Sequence, residues 1–212
     1  MQRRGMLTVG PKHPVQTAAY SLQNTVMEPL MPSRAPADAI ALLKADHRKV
    51  ENLFEKFQSA REDDRKRALV HEICAELTIH TMIEEEIFYP SCKGRIKDEE
   101  ILDEGYVEHD GAKVLIAELL DGSPTDEFYE AKVTVLSEMI KHHVKEEERR
   151  SEGLFARARD AGLDMAALRD RLMARKEELT SKFENGAKLP PPRTRSYTGH
   201  KLEQSHPVQA AA

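Results

Sequence analysis

The sequence predicts an all-α protein: an up-down-up-down four-helix bundle with an extra C-terminal helix and disordered tails. Three observations carry that expectation. Apolar residues recur at i, i+3 and i+4 through four long stretches, the pattern of helices with one buried face. Only short polar breaks separate those stretches, which favours antiparallel neighbours. Two histidine–glutamate pairs, His80-Thr-Met-Ile-Glu84 and His143-Val-Lys-Glu-Glu147, lie on these apolar faces with their members one helical turn apart.

Residues 1–35 hold no sustained period and are rich in proline, so they read as a disordered N-terminal arm. The bundle is expected over 36–158. Pro36 suits a helix first turn, after which Ile40, Leu43, His47, Val50 and Phe54 form a stripe broken at Arg61–Asp64. The second helix is expected from about Arg65 to Tyr89, with Ile73, Leu77, His80, Glu84 and Phe88 on one face and Pro90 as its stop. A third runs from about Lys97 to Leu120 through Leu102, Tyr106, His109 and Ile116, weakened by Gly105 and Gly111. Ser123-Pro-Thr-Asp126 reads as a capping-box start for the fourth, whose face carries Val133, Leu136, Ile140, His143 and Glu147, with a kink at Gly153. An amphipathic C-terminal helix is expected within 159–184, and 185–212 reads as a disordered basic tail.

The formal net charge of −5 is unevenly spread. Each tail holds four basic residues against one acid, so the segment between them bears −11. Such an acidic body argues against nucleic acid as the main partner. No run reaches the length of a membrane span. Cys74 and Cys92 are too few for a disulfide framework and form no CxxC motif, which suits a reducing, cytoplasmic setting. What partner the tails serve is not written in them.

At 1.5 Å per residue, His47, His80, His109 and His143 fall at one level of an antiparallel bundle, roughly 15–18 Å from one end. Four imidazoles and two carboxylates buried together would be costly unless something satisfies them. Neutral imidazole and carboxylate suit iron, manganese or zinc better than calcium. Six ligands exceed one tetrahedral zinc but match two octahedral ions, with Glu84 and Glu147 bridging and a position left for solvent, an oxo or hydroxo bridge, or a small molecule. The apolar series selects His143 over His142, and His71 should point outward. Tyr106, one turn before His109, reads first as packing, a single aromatic on a core face, with a donor role near the centre as the alternative. The Glu84–Glu86 and Glu146–Glu148 runs otherwise read as solvated faces.

The order His first, Glu four later departs from the Glu-x-x-His of ferritin-like di-iron proteins. With His47 in Ala45-Asp-His-Arg48 and His109 in Glu108-His-Asp110, it resembles the hemerythrin-like (HHE cation-binding) family over residues 38–156. The stretches Ile79–Pro90 and Ile140–Glu148 are the closest to that family's pattern. The resemblance implies a non-haem di-iron site, two Fe²⁺/Fe³⁺ ions with manganese as the alternative, held by His47, His80, Glu84, His109, His143 and Glu147. It implies binding or sensing of O₂, NO or peroxide at an open iron position. Oxygen-carrying members supply five histidines with Glu and Asp, and place that Asp one residue beyond the position of Glu147. Those departures turn the expectation from reversible O₂ transport toward sensing, peroxide or NO chemistry, or iron handling. An oxidoreductase and a metal-regulated helical interaction module are the alternatives.

Overall fold

The computed structural model describes residues 36–184 and 194–195, and what was expected of the two tails otherwise lies outside these residues. The helices are α1 (Ala39–Ser59), α2 (Asp63–Ile83), a π-helical segment (Glu84–Phe88) running straight into α3 (Tyr89–Cys92), α4 (Glu100–Asp121), α5 (Tyr129–Glu147), α6 (Leu154–Asp160) and α7 (Met165–Glu184). The protein is all-helical among the described residues, as the periodicity predicts. No helix among them is long and apolar enough to cross a membrane.

The bundle is a ring in which α1 meets α2, α2 meets α4, α4 meets α5 and α5 meets α1. Two apolar clusters fill it. One gathers Val50, Phe54, Ile73, Leu77, Leu136 and Ile140 among others. The second gathers Leu43, Ile83, Phe88, Phe155, Leu172 and Leu179, so α6 and α7 contribute their apolar faces to it. Between them lies a buried polar group that includes His47, His80, Glu84, His109, His143 and Glu147. α7 packs on α1 and α2 and is tied down at its rim, with Arg175 bonded to Glu86 and Lys176 to Asp46.

Several boundaries depart from the sequence expectation, each for a local reason. Pro36 precedes α1 rather than entering it; Asp38 is the N-cap, its carboxylate accepting from the Ala41 amide at 2.7 Å. Pro90 does not stop the second helix. The π segment shifts the hydrogen-bond ladder, with the Tyr89 amide donating to the Glu84 carbonyl, and Pro90 then sits in the first turn of α3 where its missing N–H is tolerated. Ser123 and Asp126 do bond, the Ser123 amide donating to Asp126 Oδ2 at 2.7 Å, but they close a turn and α5 begins only at Tyr129. Gly153 does not kink α5, which ends at Glu147; it is the N-cap of α6. A Cβ at Gly153 would stand 2.5 Å from the Glu147 carbonyl and 2.6 Å from the Arg149 amide, so the chain turns back over the bundle end too tightly for a side chain.

Candidate metal centre

The apolar stripes that build the helices also aim the site. On each of α1, α2, α4 and α5 one imidazole occupies an inward position, and all four are buried. His47 Nε2 lies 3.1 Å from His80 Nε2, and His109 Nε2 lies 3.2 Å from His143 Nε2. Glu84 and Glu147 stand between the two histidine pairs. Glu84 Oε2 is 3.2 Å from His80 Nε2 and 3.5 Å from His109 Nε2. Glu147 Oε2 is 3.5 Å from His47 Nε2 and 3.6 Å from His143 Nε2. Two groups with metal-ligand spacing result, one of His47, His80, Glu84 and Glu147, the second of Glu84, His109 and His143. The six residues named from sequence are thus brought together, with Glu84 common to both groups.

The outward nitrogens explain the inward ones. His47 Nδ1 meets Glu148 Oε1 at 2.9 Å, His109 Nδ1 meets Glu85 Oε1 at 3.1 Å, and His143 Nδ1 meets Glu108 Oε2 at 2.7 Å. His80 Nδ1 faces Asp46 Oδ2 at 3.6 Å. These carboxylates run round the ring: α1 supplies the acid for α2, the π segment after α2 for α4, α4 for α5, and Glu148, the C-cap of α5, for α1. At His47, His109 and His143 the hydrogen-bonded carboxylate fixes the proton on Nδ1 and leaves the Nε2 lone pair pointing inward, whereas His80 and Asp46 stand beyond hydrogen-bond distance, as an ion pair.

Hydrogen-bond acceptors therefore crowd the centre. Both oxygens of Glu84 and Oε2 of Glu147 are buried without a hydrogen-bond partner. Tyr89 is the exception among the groups around them, its hydroxyl donating to Glu147 Oε1 at 2.9 Å. Burial pulls His47 and His109 down to about 4. Burial also opposes charge on His80, but Glu84 and Asp46 prevail and raise it to about 10. Glu147 is raised, first by burial and then by the charge of Glu84. A donor set of imidazole and carboxylate, held rigidly and short of hydrogen-bond donors, fits transition-metal cations.

Phe155 of α6 stacks on His47 with centroids 5.8 Å apart, and Tyr89 stacks on His109 at 5.4 Å. Val50, Leu77, Ile140 and Val144 line a cavity against the four imidazoles, with free space of about 10 Å³.

Sequence reasoning missed the four outer carboxylates. Glu85 and Glu148 are not plain solvated faces, since each holds a buried imidazole. A signal existed, because each lies next in sequence to one of the six inward residues. Also missed was Tyr89, the tyrosine at the centre; Tyr106 packs, as first read, edge-on against the Tyr89 ring and under the Arg195 guanidinium. His142 and His71 point outward as expected, His142 with 64% of its side chain exposed. Cys74 and Cys92 are free and buried, and burial raises both thiols to about 12.

Comparison with known proteins agrees with this fold. The hemerythrin HHE cation binding domain family matches residues 38–158. A hemerythrin HHE cation binding domain-containing protein from Mycobacterium kansasii has a similar fold, with TM-score 0.58 and 23% identity over 71% of this chain and 94% of that one. A DNA nickase from a Nostoc species is 29% identical over 107 residues, which span 50% of this chain and 30% of that protein.

Proposed function

This chain belongs to the hemerythrin HHE cation-binding domain family, and we propose that it holds a dinuclear non-haem iron centre that binds or senses O₂, NO or peroxide. The carrying observation is the buried cage of four inward Nε2 atoms and two carboxylates, three of whose oxygens have no hydrogen-bond partner. His47 and His80 would hold one ion and His109 and His143 the second, with Glu84 and Glu147 shared between them. When bound, iron would supply redox chemistry and an open coordination position. Manganese is the alternative metal.

The chain's own residues shape what such a centre meets. The outer carboxylates orient the imidazoles, Phe155 covers His47, and the Tyr89 hydroxyl holds a proton against Glu147. The cavity of about 10 Å³ against the four imidazoles is at the lower limit for a single water, so the apolar wall keeps that side of the centre nearly dry. The acidic body between the tails supports a reading in which nucleic acid is not the main partner. The Nostoc protein's nicking activity is not carried over, since the match spans 30% of its length. Two free cysteines suit a cytoplasmic setting.

Titrating the iron-loaded protein with peroxide, NO and O₂ tests the reading. A spectral change that saturates at one ligand per centre supports binding or sensing. Sustained consumption of peroxide or NO would move the protein to the oxidoreductase alternative. No response to any of the three would leave a metal-regulated helical module.

A further inference from the structure

The four outer carboxylates are not equivalent. Asp46 is paired with Lys176, Glu85 with Lys113 and Arg195, and Glu148 with Lys44 and Arg48. Glu108 alone among them has no Lys or Arg partner among the described residues; its neighbours are His143 at 2.7 Å and His142 at 3.5 Å. Three corners of the centre are thus covered by fixed positive charge and the fourth is not.

That fourth corner opens into a cleft of about 590 Å³ between α4 and α5. Asp103, Glu104, Glu108, His142 and Glu146 line its accessible part, and the buried Tyr89, His143 and Glu147 lie at its inner end. No Lys or Arg lines it; Arg149 reaches Glu146 from outside at 2.6 Å. Glu104 and Glu108 on α4 and His142 and Glu146 on α5 are each four residues apart, so each pair shares a helix face. At the inner end, Glu147 Oε2 is buried with no hydrogen-bond partner. Ile101 and Val107 add apolar walls, which concentrate the field of the carboxylates along the cleft.

We infer that this cleft draws a divalent metal cation into the centre, with Glu104, Glu146 and His142 as its transient outer contacts. The inference rests on the reading of the centre as an iron site and adds how the iron arrives. Six hydration waters occupy about 180 Å³ at about 30 Å³ each, so the ion enters hydrated and exchanges water for carboxylate on the way in. Glu108, touching both His142 and His143, marks the handover from cleft to centre. A neutral ligand feels no such pull, and the basic residues at the other three corners repel a cation there.

The test is the rate at which metal-free protein takes up ferrous iron under anaerobic conditions, read by competition with a coloured chelator. The double variant Glu104→Gln/Glu146→Gln should load about three- to tenfold more slowly at low salt and reach the same final iron content. His142→Ala should also slow loading, and Glu127→Gln with Asp160→Asn, exposed acids outside the cleft, should not. High salt should bring the parent and the double variant together. Equal rates at low salt would overturn the route. A lowered final content would also overturn it, by placing these residues in the centre itself. Failure of the parent protein to load at all would instead defeat the iron reading on which the route depends.

Discussion

Each imidazole at the centre has an inward nitrogen and an outward one, and the two nitrogens were unequally legible. The inward set follows from apolar periodicity: the series Val133, Leu136, Ile140, His143 and Glu147 selects one of two adjacent histidines, and the structure buries that one. His80→Ala and Glu147→Ala are expected to cut bound metal sharply, while His71→Ala and His142→Ala leave the final content unchanged, as measured by metal analysis. Loss of metal in His142→Ala but not in His143→Ala would reverse the assignment. The outward set was not legible, because each acid answers to a histidine on another helix: Glu85, Glu108 and Glu148 are only partly buried, and Asp46, although buried on α1, faces His80 of α2. Adjacent residues are about 100° apart on a helix, so each acid serves the histidine of the next helix, a relation that periodicity cannot see. Replacing Glu148 by Ala removes the acceptor at His47 Nδ1 and should weaken metal affinity by about 10–100-fold, measured by chelator competition.

At the scale of the helices, four long elements could be read from the sequence, but their ends and one irregularity could not. The π segment Glu84–Phe88 has no compositional mark. It lets the helix bury both Glu84 and Tyr89, five residues apart, where a regular helix would rotate one of them away. Pro90 read as a terminator because a regular ladder was assumed. Gly105 read as a weak point of α4, yet its lack of a side chain makes room for that tyrosine: a Cβ there would come within 2.8 Å of the Tyr89 hydroxyl. Gly105→Ala is therefore expected to push Tyr89 from Glu147 and to cost about 1–3 kcal/mol in denaturant unfolding. Tyr89→Phe keeps the packing and removes only the donor to Glu147, so it should perturb the spectrum of the loaded centre with little loss of stability. Equal stability of Gly105→Ala and the parent protein would contradict the packing argument.

Over the whole molecule, charge and core arrangement set how the protein responds to metal and pH. The polar layer separates two apolar clusters, so the bundle carries its least soluble ionisable groups at mid-height, and a cation there should stabilise the fold by mass action. His80, raised to about 10, carries a proton at neutral pH, and Glu147 is also raised. Metal binding must displace such protons, so loading should release acid into a weakly buffered solution. Affinity should then rise with pH, by about tenfold per pH unit for each proton displaced. Affinity that is flat between about pH 6 and pH 8 would contradict the protonation assigned to His80. At this scale the bundle was the most legible feature of all, since four amphipathic stretches with short links admit few arrangements. The covering of the site by α6 and α7 was not, because Phe155 lies in a seven-residue helix too short to show a period.

The central claim is that the cage is a dinuclear iron site, and metal content with an optical spectrum tests it most directly. Protein loaded with ferrous iron and exposed to air should retain about two irons per chain, with a near-ultraviolet band that bleaches on reduction with dithionite. A folded chain that refuses ferrous iron, or that holds a single ion insensitive to His109→Ala, would contradict it.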